Sequence, residues 1–151
     1  MELLPVFQWL EATAVGTTIR ESLWLFPMIQ CGHLLGLALL GGTVLVGDLR
    51  LLGWGLRGEP VETLAGKLQP WMVGALGVTV GTGILMFLSE ALKCYYSPPF
   101  WYKMGMLVLA TGFAFTLRRR ALGTRWGRVT AIVSMGLWLG VGFAGRWIAF
   151  Y

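Results

Sequence analysis

Four apolar segments alternate with short polar ones along the chain. The first, Leu23 to Val46, contains no Asp, Glu, Lys or Arg. A helix needs about 20 predominantly apolar residues to cross a bilayer core, so this run predicts a membrane span over residues 22–47. Pro27 sits about one turn inside it and predicts a mild kink there. Trp71 to Leu88 is likewise uncharged and predicts a second span over 69–92, with Pro60 to Lys67 able to start a helix ahead of it. The third uncharged core, Met104 to Leu117, is short. Phe100, Trp101 and Tyr102 extend it and Lys103 can snorkel outward, which predicts a span over 100–120. The fourth segment predicts a span over 127–149, with Arg146, Trp147, Phe150 and Tyr151 at its end. Between spans 2 and 3, Cys94 to Trp101 reads as a tight turn wrapped in an aromatic belt.

Ahead of the spans, Leu3, Phe7, Leu10 and Ala14 recur at helical spacing, with Gln8 and Glu11 between them. This pattern predicts one amphipathic helix over 3–18 lying in the membrane interface, as an anchor or as a lid. It does not read as a signal peptide, because Glu2 and Glu11 intrude and no basic region precedes the apolar run. The expected fold is all-α: an integral membrane four-helix bundle, one domain over 1–151, with an interfacial N-terminal helix.

Composition agrees with this reading. Hydrophobic residues make up 56 % of the chain and charged residues 13 %, with a mean hydropathy of +0.70. Soluble domains carry about 25 % charged residues. The net charge of +5 does not predict nucleic acid binding, because the basic residues flank the apolar segments. Arg50, Arg57 and Lys67 follow span 1, and Arg118, Arg119, Arg120, Arg125 and Arg128 lie between spans 3 and 4. Arg20, Lys93, Lys103 and Arg146 are spread over the opposite ends. The positive-inside rule therefore predicts cytoplasmic basic loops and both termini outside.

Small residues recur four apart at Gly32 and Gly36, at Gly77 and Gly81, and at Gly136, Gly140 and Ala144. Such stripes let membrane helices approach closely, within one bundle or between copies. Asp48 and Arg50, at the exit of span 1, are placed to pair with the arginines of the third loop or to meet a head group or partner. Glu90 and Lys93 are three apart and can meet on one helix face, while Glu90 and Lys103 lie at facing ends of consecutive spans. Cys31 and Cys94 form no CxxC motif and are not expected to pair. Catalytic triads, phosphate loops and metalloprotease motifs are missing, so ordinary hydrolase or kinase chemistry is not indicated.

His33 is the only histidine, and it lies within the first span, with Gln30 on the same face. Ionisable groups at such depth usually have a role. Three roles stay open: a structural hydrogen bond across the bundle, an axial ligand to b-type haem or another metal, and proton relay or substrate binding. With one histidine per chain, the sixth haem ligand would come from a methionine or from another copy, or the position would stay open.

The run WLEATAVGTTIRESLWLFPMIQCGHLLGLALLGGTVLVGDLRLLG, the segment YYSPPFWYKM and the ending VGFAGRWIAFY resemble a family of small four-span bacterial membrane proteins of unknown function. The resemblance covers nearly the whole chain and implies a bacterial inner-membrane location. The first span also looks loosely like those of copper-resistance membrane proteins and b-type cytochromes, which usually supply more than one intramembrane histidine. The leading expectation is a small membrane subunit or accessory protein in a complex or homo-oligomer. The alternatives are a haem-binding electron-transfer protein using His33 and a small transporter.

Overall fold

A computed structural model of the chain describes residues 3–55, 58–120, 125–148 and 150. Glu2, Arg57, residues 121–124, Ala149 and Tyr151 lie outside the described residues. Every element among the described residues is helical, and four helices are long and apolar enough to span a bilayer.

The first span is α3 (Leu25–Leu52). Its start is fixed by Ser22, whose Oγ accepts from the Trp24 and Leu25 amides at 3.4 and 3.2 Å. Pro27 therefore falls within the first turn, where an amide has no intrahelical acceptor to lose, and the expected kink has no cause there. Gly53, at φ +82, ends the helix: its N–H donates to the Arg50 carbonyl and that of Trp54 to the Leu49 carbonyl. This is the paired C-terminal closure that a left-handed glycine permits.

The second span, α4 (Val61–Ser89), starts well before the sequence boundary of 69 and runs through Pro70 as one helix. Counting apolar residues measures the lipid crossing, whereas the helix extends beyond the lipid with Glu62 and Lys67 on its first turns. The chain then breaks at Glu90 (φ −135, ψ 40) and forms the short α5 (Ala91–Tyr96). Next come α6 (Pro98–Phe115), with prolines in its first turn, and α7 (Leu117–Arg120), which together make the third span. The last span is α8 (Gly127–Ile148).

Packing runs in the order α4, α3, α8, α6. The core between them is formed by Leu40, Val44, Met72 and Ala75, flanked by Leu76, Phe115 and Trp138. The outer pair, α4 and α6, do not pack along their lengths. They meet where Phe87 and Phe100 stack at 5.5 Å, near the end that carries the N-terminus.

The N-terminal segment is two helices, not one: α1 (Leu4–Glu11) and α2 (Ala14–Glu21). Thr13 divides them because its extended backbone and side-chain oxygen cap α2 through the Gly16 amide. Both fold back onto the α4–α5 junction. Phe7 packs against Phe87, Tyr95 and Trp101 with centroids 5.5, 5.0 and 6.0 Å away. Glu11 Oε2 accepts from the Leu92 amide at 2.6 Å, and so satisfies the start of α5. Arg20 donates to the Ser89 carbonyl at 3.1 Å. Gly16 sits against the Leu88 carbonyl with no room for a side chain.

Candidate functional site: two buried polar layers

Two clusters of buried polar groups join the spans to one another. The first surrounds His33, on the face of α3 turned to α4. Gly36 permits the approach: a Cβ there would stand 2.7 Å from Thr79 Oγ1. Thr82 Oγ1 donates to the Val78 carbonyl at 2.6 Å, so it faces His33 Nδ1, 2.9 Å away, with a lone pair. That assigns the Nδ1–H tautomer and leaves the Nε2 lone pair uncommitted to Thr82. The ring edge lies against α4 at Gly83, where a Cβ would be 3.3 Å from His33 Cε1. Lys103 projects from the third span toward α8. Its stem lies along α8, 3.6 Å from a Cβ position at Gly145. Gln30 is exposed on α3 and does not join this layer.

The second layer is at the arginine-rich end. Asp48 is fully buried, and its Oδ1 accepts from Arg118 Nε at 2.8 Å. The pair ties α3 to the end of the third span. Gly47 leaves the space that the Arg118 guanidinium fills. Asp48 Oδ2 and the buried Ser134 hydroxyl, on α8, have no hydrogen-bond partner among the described residues. The expectation that Asp48 pairs with a third-loop arginine thus matches the geometry, while Arg50 does something else. Its guanidinium donates twice to the Glu59 carbonyl, at 3.0 and 2.7 Å, and closes the loop after α3.

Near the N-terminal end, Glu90 meets Lys93 at 3.9 Å and not Lys103. The helix breaks at Glu90, and the expected Glu90–Lys103 pair does not form. Lys103 has no ion-pair partner among the described residues. Burial, reinforced by the Glu90 charge, pushes the Cys94 thiol up to about 11. Cys31 and Cys94 are both free.

The small residues divide by face. Gly32 and Gly36 look onto α4, Gly140 receives Met106, and Ala144 is buried. Gly77, Gly81 and Gly136 have open space where a side chain would stand. The partners that sequence reasoning did not identify are Thr82 and Thr79. Their signal was a threonine pair three apart in an apolar run, facing a glycine pair on α3.

Among the described residues no three His, Cys, Asp or Glu side chains gather as a metal would need. The His33 ring lies between α3 and α4, against Thr82 and Gly83.

Four helices long and apolar enough to cross a bilayer, in a fold whose described elements are all helical, define a multi-pass, all-α membrane protein. The chain belongs to a family of unknown function, DUF6644, whose model matches residues 6–151. No curated protein and no solved structure matches it, so the likeness to copper-resistance proteins and b-type cytochromes has no support.

Proposed function

We propose that this protein is a small membrane-embedded subunit or accessory protein that works by packing, in a homo-oligomer or a larger complex of a bacterial inner membrane. The carrying observation is the third span: only 11 % of its most apolar window is buried within the chain. That span covers one outer edge of a four-helix row whose other edge, α4, it hardly touches. The polar chemistry supports the same reading, because His33–Thr82 and Asp48–Arg118 join helices to one another. The arginine-rich end faces the cytoplasm in this reading, with both termini outside.

Cysteine cross-linking in native membranes tests this. Val108 and Leu109, 70 % and 61 % exposed on α6, are replaced by cysteine one at a time. The expected result is a discrete cross-linked species that survives dilution with lipid. A protein that stays uncross-linked at both positions and elutes as a monomer in mild detergent refutes the reading. A visible spectrum of the same preparation tests haem directly, through a Soret band lost on His33→Ala.

A further inference from the structure

A cavity of about 200 Å3 lies at the arginine-rich end, where α3, α4 and the third span meet. Its floor is apolar, with Met72 and Ala114 among the lining residues. Its charged lining comes from Glu62 on α4 and from Arg118 and Arg119 on α7, and Gln69 adds an amide. The lining on α4 runs from Glu62, in its first turn, to Met72, about 15 Å along the helix.

The charges decide what fits. Arg118 is bound to Asp48. Arg119 lies over the Phe115 ring at 5.9 Å, and among the described residues neither Arg119 nor Glu62 has an ion-pair partner. A simple anion would meet Glu62 and a simple cation would meet Arg119. A ligand that carries both charges a few bonds apart, attached to hydrocarbon, satisfies both and also covers the apolar floor. We infer that this cavity binds a zwitterionic aminophospholipid, with the phosphodiester on Arg119 and the primary ammonium on Glu62 and Gln69. Cavities with basic residues between spans are known places for head-group recognition, and the acidic residue adds the selection for an ammonium. The same chemistry is available in water-soluble phosphoethanolamine, so the lipid tails must be tested separately.

The experiment follows thermal unfolding of the full chain in mild detergent while short-chain lipids are titrated in. Dihexanoyl phosphatidylethanolamine is expected to raise the midpoint at lower concentration than the phosphatidylcholine or phosphatidylglycerol analogue. A choline head group cannot donate an N–H to Glu62, and a glycerol head group brings no cation. Free phosphoethanolamine is expected to act about tenfold more weakly than the lipid, because it leaves the apolar floor uncovered. Arg119→Gln should weaken the effect about tenfold, and Glu62→Gln should abolish the preference for ethanolamine over glycerol. Both variants alter exposed side chains, so both are expected to fold. Equal shifts from all three lipids, a preference for phosphatidylglycerol, or an unchanged preference in Glu62→Gln would overturn the assignment. A full effect from free phosphoethanolamine would overturn the lipid part.

Discussion

Removing the Arg118 side chain should be among the most damaging single changes in this protein. Asp48 is 0 % exposed and the Arg118 side chain 12 %, at a separation of 2.8 Å. Breaking a buried pair typically costs about 3–5 kcal/mol, because the survivor keeps its charge in a site stripped of water. The two halves should not cost the same. Asp48 has a short arm fixed on the inner face of α3 and cannot reach the interface. Arg118, at the end of its span, has a long side chain that can swing toward head groups. Arg118→Leu is therefore expected at the upper end, about 4–5 kcal/mol, and Asp48→Asn lower, about 2–3 kcal/mol. The double variant leaves no lone charge and should cost several kcal/mol less than the sum of the singles. The assay is reversible unfolding in mixed micelles, read by tryptophan fluorescence for both singles and the double. A cost below about 1 kcal/mol for Arg118→Leu, or additivity within about 0.5 kcal/mol, would refute the reasoning.

Other outcomes are expected from the same geometry. Thr82→Val removes the acceptor of His33 Nδ1–H and should cost about 1 kcal/mol, with Thr82→Ser near wild type, in the same unfolding assay. Gly16→Ala should loosen the N-terminal helices and expose them to protease, because the Leu88 carbonyl that blocks a Cβ there is backbone and cannot step aside. Gly77→Ala and Gly81→Ala meet open space and should stay within about 0.5 kcal/mol of wild type for the monomer; a larger loss would mean the α4 packing is wrong. Maleimide labelling of Cys94 should be slow near neutral pH. With the thiol pushed up to about 11, its reactive thiolate grows about tenfold per pH unit and levels off only above that value. A Cys94 that labels as fast as a small free thiol at pH 8 would contradict the burial.

The four spans were legible because each is a long uncharged run bounded by charge, and the bilayer imposes that pattern on any helix crossing it. Their ends were less so, as α4 shows: the polar turns from Val61 onward are helical without being apolar. Asp48 could be matched to the third loop because a carboxylate and an arginine cluster flank the same end of adjacent spans. Glu90 and Lys103 flank the opposite end in the same way, yet the helix breaks at Glu90, where Glu11 caps α5, and the two do not pair. No spacing rule shows a contact that depends on residues eighty positions away. Glycine spacing likewise marks that a helix can be approached, but not from which side. Gly36 faces α4 and Gly81 faces away from its own bundle, although both stripes repeat at four.

The two polar layers also bear on how the interior can work. His33 and Asp48 lie fifteen residues apart on α3, about 22 Å along the helix. Leu40, Val44, Met72 and Ala75 fill the space between, with Phe115 and Trp138 against them. Thr43 is buried on this stretch of α3, and its hydroxyl donates back to the Leu40 carbonyl. No side-chain hydrogen-bond chain joins the layers among the described residues. Each layer fastens a different pair of elements: the first holds α3 to α4, and the second holds α3 to the end of the third span. A proton or polar solute crossing this arrangement would have to part α3 from α4 at Gly36, where the backbones are close, or displace the Leu40 cluster. Both motions expose apolar surface that the resting structure has buried.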